Sequence, residues 1–294
     1  MTLKTIYIAR HGFRANWLPP PHPSNPTGID SDHPLADHGI DQAKQLASYL
    51  ESFPESERPQ FILTSPFFRC VQTSEPIAEA LSVPMVLERA VGEWYQKGRG
   101  VIPEPGNYEL LGKFFPHLSE ESLWKRDGLG IIPNSIGETA EEIVARCQKF
   151  WKSFVPIFEK KFPHVERILI VGHAASKIAL GMTLMGYSSV HSPIDDKNTL
   201  LKAGACSLDK YDLEAGKWII KMNGNCDFLS DGEEMDWNFY NQFEAGSDED
   251  IKARQEAKKR QEMKKKTNEE QVTINEVSAH ELETENNEEI EVCE

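Results

Sequence analysis

His11 ends an apolar run, Thr5-Ile6-Tyr7-Ile8-Ala9, and stands between Arg10 and Gly12. A neutral imidazole nitrogen can attack phosphorus and hold the phosphoryl group covalently, provided nearby cations offset the charge on its oxygens. Arg10 and Arg14 are candidate cations. A second apolar run, residues 167–171, ends in Gly172-His173. A third, Phe61-Ile62-Leu63-Thr64, is followed by Ser65-Pro66 and then a helix-prone stretch with Arg69 in its first turn. The carboxyl ends of parallel strands share one crevice, where ligands of open α/β sheets bind. His11, His173, Arg10, Arg14 and Arg69 can therefore converge on one phosphate-sized site.

A departing alkoxide or phenoxide needs a proton, and two carboxylates compete to supply it. Glu88 lies nearer its strand, in Val86-Leu87-Glu88-Arg89. Glu93 lies in the following loop, Val91-Gly92-Glu93-Trp94-Tyr95. The structural alternative for Glu88 is a salt bridge to Arg89 or a solvated strand edge.

The motifs Arg10-His11-Gly12, Ser65-x-x-x-Arg69-x-x-x-Thr73 and Gly172-His173 occur in the order found in the histidine phosphatase (phosphoglycerate mutase-like) superfamily, which the chain resembles over residues 3–224. The resemblance implies that His11 is the nucleophile and that Arg10, Arg14, Arg69 and His173 form the phosphate pocket. It also makes Glu93 the acid over Glu88, because Gly-Glu-Trp resembles the acid-bearing loop of the branch containing the ubiquitin-associated and SH3-containing phosphatases. Arg14 points to the same branch, whereas Asn16 matches the mutase-type members. Glu88-Arg89-Ala90-Val91-Gly92 only half matches the mutase signature Glu-Arg-x-Tyr-Gly, which favours hydrolysis.

Within the superfamily, Asn16-Trp17-Leu18-Pro19, residues 28–32, residues 173–182 and residues 232–239 look like a fungal subgroup: the phosphatase-like tau subunit of RNA polymerase III transcription factor C and its shorter paralogues. The longer members carry a further β-rich domain for pairing with a partner subunit. This chain ends without it, which argues against membership of the transcription complex.

The elements that must position these residues alternate along the chain. Residues 35–50 read as a helix with Ile40, Ala43, Leu46, Ala47 and Leu50 facing the core. Residues 84–87 read as a strand. Thr139-Ala140-Glu141-Glu142 is a capping box opening a helix toward Pro163. Residues 174–185 form a helix whose N-terminus faces the phosphate. Residues 205–213 and 217–222 flank a Gly-containing turn and form an antiparallel hairpin. The predicted architecture is α/β, a mostly parallel central sheet with helices on both faces and an antiparallel edge hairpin. The loop 17–34 is too punctuated for regular structure and borders the site. The insert 94–135 carries Tyr95, Tyr108, Phe114, Phe115 and Trp124, either an aromatic lid over an aryl phosphate such as phosphotyrosine or a satellite hydrophobic cluster.

The chain has 294 residues, 39% hydrophobic and 27% charged, enough for one good core with residues to spare. A catalytic domain over 1–244 and a charged tail over 245–294 are expected. The tail holds eight basic and fifteen acidic side chains, so it contributes −7 to a net charge of −15. All eight basic residues fall in 252–266, a block read as a solvated, fraying helix. Residues 267–294 hold ten acids without Lys, Arg or aromatics, a disordered composition. The basic block alone supplies only weak, salt-sensitive attraction for nucleic acid.

The five cysteines show no Cys-x-x-Cys spacing and are read as reduced thiols. His22, His33 and His38 lack ligand spacing, so neither metal nor cofactor is expected. With no leader before the first strand and no run long enough to span a bilayer, cytoplasm or nucleus is the expected location. Two functions follow: a phosphatase acting on a phosphorylated small molecule or phosphoprotein, or an interaction module with transcription-complex subunits as partners.

Overall fold

The computed structural model describes residues 2–100, 102–260 and 263–264. The chain divides into two compact units, Met1–Ala245 and Gly246–Glu294. In the first, strands and helices alternate as β1 (Thr5–Arg10), α1 (Asp37–Glu51), β2 (Phe61–Thr64), α2 (Phe68–Leu81), β3 (Met85–Leu87), α3 (Tyr108–Leu111), α4 (Ala140–Lys161), β4 (Arg167–Gly172), α5 (Ala174–Leu184), β5 (Leu208–Glu214) and β6 (Lys217–Asn225). The sheet order is β3-β2-β4-β1-β5-β6. The first four strands are parallel, and β5 and β6 add an antiparallel edge.

Side-chain alternation along the strands explains the layers. Ile6, Ile8, Leu63, Ile168 and Ile170 point to one face, where they pack with Phe150, Phe154 and Phe158 of α4 and Ile178 of α5. The intervening Tyr7, Ala9, Ile62, Leu169 and Val171 face Leu46 and Leu50 of α1 and Val71 and Ile77 of α2. A period of two thus splits each strand between two cores, so strands buried on both faces read as continuous apolar runs.

The local signals largely resolve as sequence chemistry requires. Residues 37–51 are helical rather than 35–50, and Ile40 is only half-buried while Ala43, Leu46, Ala47 and Leu50 are buried. The 217–222 arm extends to Asn225, and its partner begins at Leu208. Ala215 and Gly216 both have positive φ, 49° and 79°, as the two-residue turn of a twisted hairpin demands. At α4, Thr139 accepts from the Glu142 amide and the Glu142 carboxylate accepts from the Thr139 amide. Thr139→Ala is expected to cost about 1 kcal/mol in urea unfolding.

In the second unit, residues 248–260 are helical, with Asp250 accepting from the Gly246 amide and pairing with Arg254. Lys258, Lys259 and Arg260 are exposed. The acidic stretch 267–294 lies outside the described residues. Among the described residues no helix is long and apolar enough to cross a membrane. Cys70, Cys147, Cys206 and Cys226 are buried free thiols.

Candidate active site

The parallel strands are stitched together just where their chemistry begins. The His11 amide donates to the Gly172 carbonyl (2.9 Å), the Ser65 amide to Val171 (2.9 Å) and the Glu88 amide to Thr64 (2.9 Å). This register brings His11, His173, Ser65 and the Glu88–Glu93 loop to one end of the sheet. The His11 and His173 ring centroids lie 5.5 Å apart, and ligand atoms of His11, His173 and Glu93 all lie within 4.8 Å of one another.

Gly12 is required by close approach. A Cβ there would meet the Gly39 carbonyl oxygen at 2.6 Å, and one at Gly39 would meet the Phe13 oxygen at 2.1 Å. Contact between α1 and the His11 loop therefore excludes side chains on both sides.

His11 is 1% exposed, and its Nδ1 lies 2.8 Å from the Gly12 carbonyl oxygen. A carbonyl only accepts, so Nδ1 carries the proton and Nε2 keeps its lone pair. Burial, then Arg69, Arg10, His173 and Arg14, pushes the His11 pKa well below its ordinary value. The imidazole is thus neutral. Trp17 packs on this ring at 5.7 Å between centroids.

His173 is fully buried. Its Nδ1 lies 3.0 Å from Glu93 Oε2 and its Nε2 lies 2.8 Å from Ser65 Oγ. Burial, opposed by Glu93 and reinforced by Arg69, lowers its pKa to about 4. The neutral ring therefore donates from Nδ1 to the Glu93 carboxylate and accepts at Nε2 from the Ser65 hydroxyl.

Arg69 Nη2 donates to Glu93 Oε2 (3.0 Å), and Nη1 lies 3.6 Å from Asp32 Oδ1. Burial alone would raise the Glu93 carboxyl, but His173, its hydrogen bond, Arg69 and Arg14 outweigh it and hold the group well below the carboxylate range. Burial, then repulsion from Arg69, lowers Arg14 to about 9, with Glu93 and Tyr95 opposing. Buried Arg14 Nε and Arg69 Nε make no hydrogen bond within the protein. Three crowded guanidiniums facing two acids, Glu93 and Asp32, leave a surplus of positive charge, and the site gains by accepting a dianion. An added metal cation at His11, Glu93 and His173 would increase that repulsion.

Arg10 also serves the architecture: its Nη1 donates to the carbonyls of Ala203 and Met235, at 2.6 Å each. Glu88 is neither a solvated edge nor an Arg89 partner. It is fully buried, accepts from the Ala90 amide and Trp124 Nε1 (both 2.9 Å), and burial raises it to about 8. Arg89 pairs instead with Glu104 and Asp127.

The insert behaves mostly as a hydrophobic cluster. Trp124 packs on Phe154 and Phe158, and Phe115 packs on Phe68. The Tyr108 hydroxyl donates to the Trp124 carbonyl. Tyr95 alone of these aromatics borders the site, in a cleft with Phe67, Glu93, Pro103 and Pro133.

Sequence reasoning assigned no role to several residues on which the geometry depends. Asp32 accepts from the Phe68 amide at the start of α2 (2.9 Å) and faces Arg69. Thr73 Oγ1 accepts from the Gly12 amide (3.1 Å). Beneath Glu93, Arg146 donates to the Ala90 and Gly92 carbonyls while pairing with Glu138, and Ser176 Oγ donates to the same Gly92 oxygen. The spacing of Ser65 and Thr73 around Arg69 held the only local signal.

The chain is 47% identical to the transcription factor tau 55 kDa subunit of Saccharomyces cerevisiae over a 279-residue alignment, covering 87% of this chain and 63% of the yeast protein. Among solved structures, the ecdysone phosphate phosphatase of Bombix mori in complex with tungstate superposes with a TM-score of 0.55 at 17% identity, covering 74% of this chain and 91% of that one. That likeness shows a shared phosphoglycerate mutase-like fold. The profile of the histidine phosphatase superfamily (branch 1) matches residues 6–225, three quarters of the chain, and the protein belongs to that superfamily.

Proposed function

We propose that the protein hydrolyses a phosphomonoester through a phosphohistidine on His11, without a metal or other cofactor. One observation carries this reading: a neutral imidazole whose tautomer is fixed by the Gly12 carbonyl sits among Arg10, Arg14 and Arg69, beside a carboxylate within reach of the same site. His11 Nε2 attacks phosphorus, and the bond from phosphorus to the leaving oxygen breaks with its electrons on that oxygen. The arginines hold the phosphoryl oxygens, and His173 joins them once protonation of Glu93 frees the Nδ1–H that the carboxylate had held.

Glu93 supplies the proton. In the ligand-free arrangement it is ionised because it faces surplus positive charge, and an incoming phosphate dianion competes for those cations. Its pKa then rises, so it takes a proton and passes it to the leaving oxygen. In the second step Glu93 takes a proton from water as that water attacks the phosphohistidine, releasing phosphate and restoring His11.

The cleft beside Glu93, walled by Phe67, Tyr95, Ile102 and Pro133, suits an apolar, flat leaving group and supports an aryl phosphate, including phosphotyrosine on a protein. Glu93→Gln is expected to lower phenyl phosphate turnover about 100-fold or more. Glu88→Gln, removed from the reacting atoms, should stay within about threefold. Steady-state release of phosphate checks both. Brief exposure to labelled phenyl phosphate followed by alkaline quench should leave acid-labile label on wild type; no label would refute the covalent route.

The 47% identity to the yeast transcription factor tau subunit supports a second reading, a nuclear interaction module joined to transcription-complex subunits. The chain covers 63% of that relative, less than two thirds of its length. Co-purification of RNA polymerase III factors with the tagged full chain tests it, and a clean monomer from the nuclear fraction would count against it.

A further inference from the structure

The segment after β6 reaches back to the catalytic end of the sheet, and it lies beyond the part of the chain that matches the superfamily profile, which stops at residue 225. It is stitched in at several points. The Ala205 amide donates to the Glu234 carbonyl (2.8 Å), and the Ala203 amide to Asp236 Oδ1 (2.8 Å). Met235, in the left-handed region at φ 54°, presents its carbonyl oxygen to Arg10 Nη1.

Farther along, Trp237 and Phe239 pack against Trp94, the residue directly after Glu93, at 6.0 and 5.3 Å between ring centroids. The segment closes on itself where Trp237 Nε1 donates to the Phe243 carbonyl (2.8 Å). Its last contact is Glu244, whose carboxylate accepts from the Gln96 amide with one oxygen and from Arg99 with the other. Arg99 in turn lies over the Tyr95 ring at 4.6 Å. On the opposite side of this loop, the Glu138 amide donates to the Tyr95 carbonyl (2.8 Å).

Residues 94–99 carry no regular helix or strand of their own, so their conformation rests on such contacts. A loop held at both flanks keeps the side chain it bears within the narrow range that proton transfer tolerates. We propose that residues 233–244 act as a positioning strap for the active site, and that Glu244 is the positioning residue that fixes the loop bearing Glu93. The proposal rests on the acid role given to Glu93 above. Glu244 touches no reacting atom; it acts through Gln96, Arg99 and Tyr95.

The test compares Glu244→Ala and Glu244→Gln in the full chain on two substrates that differ in their need for an acid. Nitrophenolate leaves from 4-nitrophenyl phosphate with little protonation, whereas phenolate leaves from phenyl phosphate with much more. Glu244→Ala is expected to lower kcat about tenfold on phenyl phosphate and about twofold on 4-nitrophenyl phosphate, with KM nearly unchanged. Glu244→Gln, which keeps an acceptor for the Gln96 amide, should recover most of the loss. Arg99→Ala should add little to Glu244→Ala, since both cut one connection.

Equal losses on the two substrates, or wild-type kcat on both, would overturn the strap. Amide hydrogen exchange gives a readout free of catalysis: the Gln96 amide should exchange faster in Glu244→Ala, and unchanged protection would also overturn the proposal. If wild type and His11→Ala turn over substrate equally, the acid role falls, and the exchange measurement still decides whether Glu244 fixes the loop.

Discussion

His11→Ala is expected to reduce phosphate release from phenyl phosphate by about 1,000-fold or more and to abolish the acid-labile label, with the fold intact. The size follows from the removal of a nucleophile rather than of one contact among several. His11 Nδ1 is satisfied by its own neighbour's carbonyl, so truncation leaves no distant buried partner stranded. Circular dichroism and thermal unfolding close to wild type, alongside lost turnover, would separate chemistry from stability. A residual rate within tenfold of wild type would end the phosphohistidine mechanism.

The same geometry sets a pH dependence. A free imidazole loses its lone pair as pH falls through about 6.5. Here burial and then Arg69 keep His11 neutral well below that point. Any acidic limb in kcat/KM should therefore follow the substrate's own second ionisation, at about 6, and a limb that stayed at about 6.5 for a substrate of lower second pKa would contradict the neutral, shielded nucleophile.

Much of this site is legible in the sequence because its parts sit at strand ends. Apolar runs such as residues 5–9 and 167–171 need only their length and β-branched content to declare buried strands, and each stops on a histidine. The sheet's parallel pairing then does the assembly, with Arg10 opposite Gly172. The hairpin's place at the edge was legible too, from a short turn with Gly between alternating strands.

What stayed hidden is what depends on partners remote in sequence. The aromatic insert read equally well as a lid or a cluster, since nothing in Trp124 itself reveals that Phe154 and Phe158 of α4 cover it. Glu88 looked like a strand-edge carboxylate because its acceptor role depends on Trp124, 36 residues away. Ser65 meets His173 across 108 residues, and Glu244 meets Arg99 across 145. Such pairs have no periodicity to read; only the fold's long-range closure creates them.

Arg69→Met is expected to be the most damaging substitution in the molecule, because this guanidinium joins phosphate recognition to the integrity of the fold. It faces Glu93 and Asp32 at once, is 1% exposed, and lies 4.6 Å over the Phe67 ring. Removing it leaves two buried carboxyls without their main cation, which costs about 3–5 kcal/mol at neutral pH. The loss should depend on pH in a defined sense. In wild type the Glu93 carboxyl is depressed, so it stabilises the fold above its unfolded pKa and withdraws that support as pH falls. Asp32 is already raised by burial against the pull of Arg69. Without the guanidinium both carboxyls move up relative to wild type, so the folded variant still holds protons at a pH where folded wild type has released them, and the variant's deficit grows as pH rises. The gap between Arg69→Met and wild type in urea unfolding should therefore be wider at pH 7.5 than at pH 4.5. A gap that narrowed toward pH 7.5 would show that Arg69 is not the counter-charge of these acids, and the cationic pocket built on it would lose its centre.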